Sequence, residues 1–264
     1  VLPESIEQLR EVLKVVKETV VPLTLLGNGS NVLVRDKGIR GIVIKLGNML
    51  RHFYEAEDLL VFGSGYSLAL ASYKAMECGK TGMEFAVGIP GSIGGAVYMN
   101  AGAYDGEMQN IVNCVKVMDL QGNERVLTAE ELNFGYRKTS LQNSGLIVTE
   151  VTLKMPSGNK DEIKSKMDDF SHRRISKQPL EMPSAGSMFK RPPGYFAGTL
   201  IDQAGLKGYT VGGAQISTKH AGFVVNVGGA TAADVLQLIK DVQTKIKAGV
   251  GVELQPEVLV IGEE

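Results

Sequence analysis

Phe85-Ala-Val-Gly-Ile-Pro-Gly-Ser-Ile-Gly-Gly-Ala-Val-Tyr-Met-Asn-Ala-Gly-Ala-Tyr-Asp-Gly106 is the stretch that decides the fold. Its six glycines stand among small residues, so the backbone can adopt positive φ and bring its N–H groups close to a ligand. Pro90 stiffens the entry, and no Lys or Arg occurs in the stretch. This pattern favours a backbone-lined site for a phosphate-bearing ligand over the alternative, a turn-rich connection between strands.

A second glycine-rich stretch, Gly27-Asn-Gly-Ser-Asn31, lies between two predicted strands, 23–26 and 32–34. It is not a Rossmann fingerprint, because a strand follows it and Val32 occupies the position of the motif's last glycine. Gly79-Lys80-Thr81 is not a P-loop, since Lys74 stands where the motif requires its first glycine. We therefore expect a nucleotide to be held in another way.

The composition indicates that the partners are small molecules. The 28 Lys and Arg residues balance 29 Asp and Glu, which gives no general field for nucleic acid or an anionic membrane. Cys78 and Cys114 lack metal-ligand spacing, so we expect no metal and reduced thiols. No apolar run approaches about 18 residues and no signal peptide opens the sequence, which predicts a cytoplasmic protein with no membrane partner.

Helical spacing from Ile6 to Glu18, behind a capping box at Ser5, predicts an amphipathic helix. Further helices are predicted over 68–78, 160–177, 196–204 and after Thr231, strands over 41–45, 59–63, 112–119, 124–127, 146–155, 210–216, 222–227 and 252–261, and an irregular loop over 178–187. The turn-forming cluster Pro156-Ser-Gly-Asn159 is the best candidate for a boundary. We expect two domains, residues 1–156 and 157–264.

Six motifs in this order resemble the UDP-N-acetylenolpyruvoylglucosamine reductase family. They are Gly27-Asn-Gly-Ser-Asn31, Gly88-Ile-Pro-Gly-Ser-Ile-Gly-Gly-Ala96, Asn100-Ala-Gly-Ala-Tyr104, Tyr136-Arg137, Pro183-Ser-Ala-Gly-Ser-Met-Phe-Lys190 and Gly251-Val-Glu-Leu-Gln-Pro-Glu-Val258. The resemblance runs from about Val1 to Gly262. It implies an α+β fold: an FAD-binding domain of the vanillyl-alcohol-oxidase type in two lobes, then a C-terminal α+β substrate domain. The short spacing from Arg137 to Ser187 resembles the family's second type, and the family's opening segment is expected to be missing here.

The resemblance also implies the reaction. NADPH, a co-substrate, reduces non-covalently bound FAD, and UDP-N-acetylglucosamine enolpyruvate then receives the hydride and becomes UDP-N-acetylmuramate for peptidoglycan. By motif, Arg137, Ser187 and Glu257 match the family's catalytic residues. Hydride addition leaves negative charge that a guanidinium can stabilise, and a positioned donor must then protonate the carbon.

The remaining expected contacts follow from the same motifs. Tyr136, Lys190 and Arg191 are expected to bind the substrate, although many family members carry Asn where Arg191 stands. The residues expected to bind FAD are Gly27, Asn28, Gly29, Ser30, Asn31, Gly88, Pro90, Gly91, Ser92, Gly94, Gly95, Ala96, Asn100, Ala101 and Gly102. We expect the protein to be a monomer.

Two other functions remain open. One is an FAD-dependent alcohol oxidase of the same fold, and the other is a non-catalytic binder of flavin or a nucleotide sugar. Oxidases of this fold often attach their flavin to His or Cys. His52, His172, His220 and the two cysteines all lie outside the glycine motifs, which favours the reductase.

Overall fold

The chain passes three times between two units in the computed structural model, which describes residues 1–47 and 50–264. Unit 1 comprises Val1–Gly29 and Gly41–His172, and unit 2 comprises Ser30–Arg40 and Arg173–Glu264. A short early segment therefore belongs to the unit that the end of the chain builds.

Both units contain helices and strands. In chain order they are α1 (Ile6–Thr19), β1 (Leu23–Leu26), β2 (Val32–Val34), β3 (Ile42–Lys45), β4 (Phe53–Ala56), β5 (Leu59–Gly63), α2 (Leu68–Glu77), α3 (Ile93–Tyr98), β6 (Gly102–Ala103), β7 (Gly106–Glu107), β8 (Val112–Met118), β9 (Glu124–Thr128), β10 (Ile147–Lys154), α4 (Lys160–Lys177), β11 (Ser184–Ser187), α5 (Ala197–Gln203), β12 (Thr210–Val211), β13 (Ala214–Ile216), β14 (Phe223–Asn226), α6 (Ala232–Val250) and β15 (Leu259–Ile261). This mixed content is that of the predicted α+β class.

Helix α1 opens unit 1 and begins as its sequence predicts. Ser5 Oγ accepts a hydrogen bond from the Gln8 N–H at 3.1 Å, and the helix ends where Val20 adopts φ 55°. Its buried Leu9 and Leu13 pack against residues of β3, β8 and β10. Strand β1 pairs in parallel with β3 beside this cluster.

A five-stranded antiparallel sheet, ordered β4-β5-β10-β8-β9, is the main sheet of unit 1. Phe62, Val151 and Val115 are register partners across its three central strands and are fully buried. Because side chains alternate along a strand, these residues define one apolar face. Helices α2 and α3 contribute Leu68 and Ile93 to the same core.

Unit 2 is built on a four-stranded sheet, ordered β11-β14-β13-β12, with α5 and α6 packed on it. Thr231 and Asp234 form a reciprocal capping box at the start of α6, and Leu238, Val242 and Ile246 form its buried stripe. The stripe is core, as its spacing indicates.

The early segment Ser30–Arg40 is held in unit 2 by backbone and side-chain bonds. Strand β2 pairs in parallel with β15, Val32 opposite Leu259. The Asp36 carboxylate accepts hydrogen bonds from the N–H groups of Ala232 (2.6 Å) and Ala233 (2.9 Å), at the start of α6. A carboxylate there satisfies free helix donors and complements the helix dipole.

Several predicted elements differ from the structure. The predicted strand 210–216 is a hairpin, β12 and β13, because Gly212 adopts φ 53° and turns the chain. The predicted strand 252–261 shortens to β15, and the predicted loop 178–187 ends in β11. Strand β4 and helix α3 were not predicted. The chain passes from unit 1 to unit 2 between His172 and Arg173, within α4. The domains predicted from the sequence, 1–156 and 157–264, and their ligands stay predictions.

None of the described helices, the 19-residue α6 included, is long and apolar enough to span a membrane. Among the described residues, no three His, Cys, Asp or Glu side chains are grouped as a metal site would require.

Glu84 is a buried charge in unit 1, with only 4% of its surface exposed. Its carboxylate accepts hydrogen bonds from the Thr81 hydroxyl (2.7 Å) and the Gly82 N–H (2.8 Å), and Lys166 Nζ lies 3.9 Å away. Burial alone would raise the pKa of Glu84, but these hydrogen bonds and the lysine charge outweigh it and lower the pKa.

Glu84→Gln should lower the free energy of unfolding by about 1–3 kcal/mol at neutral pH, since it leaves buried donors poorly satisfied. A lowered folded-state pKa means that the carboxylate stabilises the fold above its unfolded-state pKa and that this contribution is lost as the pH falls through the folded-state pKa. The difference from the parent, measured by urea unfolding, should therefore shrink in acid. The exposed Glu130→Gln is the control, and a pH-independent difference would contradict this account.

Candidate active site

Three loops of unit 1 meet with almost no space between their backbones. They are Gly27–Gly29, Gly63–Tyr66 and Gly91–Ala96, the first and last from the two predicted glycine-rich stretches. A methyl group built on Gly27 would lie 2.8 Å from Ser92 Oγ, and one built on Gly94 would lie 2.7 Å from Ser64 Cβ. The structure thus brings the two stretches together and adds a third loop.

Backbone hydrogen bonds lock the second and third loops together. The N–H groups of Gly94 and Ile93 donate to the carbonyls of Ser64 (2.9 Å) and Tyr66 (2.8 Å). Leu68 N–H donates to the carbonyl of Gly91 at 3.0 Å. The shape of this surface is therefore set before any ligand arrives.

The surface has hydrogen-bond donors to spare. Ser64 is 98% buried, and its Oγ has no hydrogen-bond partner among the described residues. The N–H groups of Asn28 and Gly29 donate no hydrogen bond to any other described residue, and Gly29, at φ 72°, faces open space. Buried polar groups are rarely left unpaired, which marks the Ser64 hydroxyl as a donor for a ligand. Asn28 and Gly29 are exposed, so their N–H groups are accessible to phosphate oxygens.

Sequence reasoning missed the Gly63–Tyr66 loop, which carries the unpaired hydroxyl. A signal was present: Gly63-Ser64-Gly65 lies between a buried strand and the capped helix α2. Methyl groups on Gly63 and Gly65 would lie 2.4 Å and 2.2 Å from backbone carbonyl oxygens, so neither position tolerates a side chain. The importance of these glycines shows only in the fold, because the carbonyls that they approach belong to Leu50 and Gly47.

Asn100, predicted to bind the cofactor, is fully buried at φ 42°. Its Nδ2 donates to Glu107 Oε2 (3.1 Å) and to the Gly135 carbonyl (3.0 Å), and its Oδ1 accepts from the Gln109 N–H (3.0 Å). The carboxamide is therefore occupied within unit 1, and a cofactor contact by this side chain stays a prediction without geometric support.

Arg137, the predicted charge-stabilising residue, is held by the same stretch. Its Nη2 donates to the Gly102 carbonyl at 3.0 Å and its Nη1 to the Asn100 carbonyl at 3.4 Å. The residue adopts φ 55°, and its guanidinium carbon lies 5.0 Å from the centre of the Tyr136 ring. A non-glycine residue in the left-handed region is strained, which is common at functional sites.

Unit 2 places Ser187 and Glu257 on neighbouring segments. Ser187 ends β11 after Gly186, which adopts φ 81°, and its side chain is exposed. The N–H of Glu257 donates to the carbonyl of Met188 at 2.8 Å. The backbone of Glu257 thus pairs with the residue that follows Ser187.

The predicted substrate contacts are partly exposed. Tyr136 is half exposed, and Lys190 is half-buried, its N–H bonded to the Gln255 carbonyl at 2.8 Å. The guanidinium of Arg191 lies 4.1 Å from the centre of the Phe196 ring. Lys190 and Arg191 lie three and four residues after Ser187 in the chain.

His52, His220 and Cys78 are each engaged with other groups of the protein. His52 Nε2 lies 3.0 Å from Glu150 Oε2, and burial lowers the pKa of His220, whose Nδ1 accepts from the Gly222 N–H at 3.0 Å. Burial, reinforced by the Glu55 carboxylate, raises the pKa of the Cys78 thiol to about 11, which makes it a poor nucleophile.

The two glycines of α3 should respond differently to a methyl group. Gly94→Ala should destabilise the protein by about 1–3 kcal/mol, because its Cβ would overlap Ser64. Gly95→Ala, whose Cβ meets only Ser92 Oγ at 3.3 Å, should be near neutral, since helix propensity favours Ala by up to about 1 kcal/mol. Urea unfolding of both variants in the absence of added ligand measures this, and equal losses would contradict the packing role of Gly94.

Both parts of the chain match known families. A family model described as an FAD binding domain matches residues 1–128. A second, described as the C-terminal domain of UDP-N-acetylenolpyruvoylglucosamine reductase, matches residues 178–261.

Curated relatives match over the whole chain. The UDP-N-acetylenolpyruvoylglucosamine reductases of Geobacillus thermodenitrificans (strain NG80-2) and Clostridium perfringens (strain SM101 / Type A) are 50% and 51% identical over 264 residues, which are 100% of this chain and 86% of each relative. The crystal structure of the reductase from Thermus caldophilus has a TM-score of 0.83 and 39% identity, over 98% of this chain and 90% of that chain. The resemblance and the predicted fold class are confirmed, and the chain belongs to the UDP-N-acetylenolpyruvoylglucosamine reductase family.

Proposed function

We propose that this chain reduces UDP-N-acetylglucosamine enolpyruvate to UDP-N-acetylmuramate with NADPH and FAD, in the synthesis of peptidoglycan precursors. The observation that carries the proposal is the match to reductases of this name over the whole chain. The nearly balanced charge and the two free cysteines support a cytoplasmic enzyme that acts on small molecules.

The three-loop surface of unit 1 fits the diphosphate of FAD. Ser64 Oγ and the N–H groups of Asn28 and Gly29 would donate to its oxygens, and Gly91–Ala96 would line the surface. When bound, FAD supplies the group that accepts a hydride from NADPH and passes it to the enolpyruvyl double bond. Non-covalent binding is supported by the absence of His and Cys from these three loops.

We assign to Arg137 the stabilisation of the negative charge that forms on the substrate. Hydride addition to the methylene carbon leaves negative charge on the adjacent carbon, delocalised into the substrate carboxylate. A guanidinium fixed by two carbonyls can stabilise that charge without reorganising at the moment of reaction. The planar guanidinium is the group best suited to bind a carboxylate.

We assign the donation of the proton to Ser187. Glu257 is assigned a supporting role in this proton transfer. The exposed Ser187 hydroxyl would donate its proton to the carbon adjacent to the carboxylate. A hydroxyl is a weak acid, so charged neighbours must favour the transfer, and Glu257 lies beside the same segment.

We assign the sugar nucleotide chiefly to the residues after about 156, with Lys190 and Arg191 as its contacts there, and with Tyr136 as a further contact from the preceding part of the chain. The matches at 1–128 and 178–261 lie within the proposed cofactor and substrate domains, 1–156 and 157–264, and support that division. Cations suit a diphosphate in a partly enclosed site.

Stopped-flow absorbance separates the two half-reactions. NADPH should bleach the flavin of the parent enzyme, and the enolpyruvyl substrate should restore the flavin absorbance. The reduced flavin of an alcohol oxidase would be reoxidised only by oxygen. The flavin of a non-catalytic binder would not be bleached by NADPH. Ser187→Ala should be bleached normally but reoxidised about 100- to 10,000-fold more slowly, the range of positioned acid catalysis. Ser187→Cys, which keeps a donor, should lose less.

Ser184→Ala, at the other end of β11, is the matched control and should lose only a small part of that rate. If Ser187→Ala is reoxidised at the parent rate, the proton comes from another group.

Lys190→Ala should raise KM for the sugar nucleotide about tenfold and leave KM for NADPH nearly unchanged, because the proposal assigns this charge to the diphosphate of the sugar nucleotide. Lys207→Ala, which breaks an ion pair with Asp202 at 2.7 Å, serves as the lysine control. Equal changes in both KM values for Lys190→Ala would argue against a diphosphate contact.

A further inference from the structure

The backbone of Glu257 is fixed on both sides of its Cα. Its N–H donates to the Met188 carbonyl at 2.8 Å, and its carbonyl accepts a hydrogen bond from Asn31 Nδ2 at 3.2 Å. With both flanking peptide groups held, the direction of the Cα–Cβ bond is set. The position of Cβ, from which the side chain of Glu257 extends, is therefore defined.

Asn31 provides the second of these bonds from the early segment of unit 2. Its own carbonyl accepts from the Leu259 N–H at 3.0 Å, where the ladder between β2 and β15 begins. Glu257 precedes that ladder by two residues, so strand pairing alone does not hold it. The carboxamide of Asn31 extends the pairing to Glu257.

The neighbours of Glu257 make this bond effective. Pro256 has a fixed φ and forms a bridge with Phe189, and Val258 is buried in the core of unit 2. Backbone rotation at Glu257 is therefore restricted, because its N–H is bonded to the Met188 carbonyl and its own carbonyl to Asn31 Nδ2.

We propose that Asn31 is a positioning residue for Glu257, not a side-chain ligand of the cofactor. The inference rests on the proposed function, because it takes Glu257 as a group that acts in the reaction. It assigns the carboxamide of a residue from the cofactor motif to the acid–base machinery of unit 2.

The first test is chemical. Asn31→Ala removes the donor without adding charge, and we expect unchanged FAD content and unchanged bleaching by NADPH, but reoxidation by substrate slowed about tenfold, the effect of one lost hydrogen bond. In a Glu257→Gln background the same change should cause no additional loss. Val34→Thr, an exposed change on β2, is the matched control and should reoxidise at the parent rate.

The second test needs no turnover. Hydrogen exchange of the Glu257 and Leu259 amides should speed up in Asn31→Ala but not in Val34→Thr, with both variants melting close to the parent. Unchanged exchange in Asn31→Ala would overturn the proposal, as would loss of FAD with normal reoxidation or additive losses in the double variant. Parent reoxidation is measured first, so failure of the proposed reaction is distinguished from failure of Asn31.

Discussion

The approach of Gly94 to Ser64, and of Gly27 to Ser92, is the constraint on which unit 1 depends. Ser64 follows β5 and its N–H donates to the Thr149 carbonyl of β10 at 3.0 Å, so the loop is anchored in the central sheet. Helix α3 is bonded to that loop through its first N–H groups. The sheet and the ligand surface therefore share one set of hydrogen bonds, and a side chain at Gly94 would disturb both.

The same stretch that forms the ligand surface also holds Arg137. Its C-terminal part supplies two carbonyls, those of Asn100 and Gly102, to the guanidinium, and the buried Asn100 carboxamide fixes the Gly135 carbonyl just before it. The proposed cofactor surface and the contacts of the proposed charge-stabilising Arg137 are thus built from one continuous segment.

Local signals predicted much of the fold. The Ser5 cap gave the start of α1, and the bounds of β5 and α4 match the predicted ranges. Elements that depend on distant partners were missed or wrong: 252–261 looked like one strand, but only its last residues find a partner in β2. In the candidate site, the motifs singled out the two glycine-rich stretches, and the structure brings these together. The uses of Ser64, Asn31 and Asn100 depend on contacts that sequence spacing does not encode, such as Asn31 to Glu257 across 226 positions.

The inclusion of Ser30–Arg40 in unit 2 has a consequence for how the chain is made. On the ribosome this segment emerges early, yet its partner strand β15 and the α6 N–H groups that Asp36 caps come from the last part of the sequence. Until those residues appear, the apolar Val32–Val34 has no strand to pair with, while all the residues of unit 1 have already been made. Such long-range closure is slow compared with local folding. Unit 2 should therefore be the last to form, leaving an unpaired β strand exposed in the nascent chain, a natural target for chaperones.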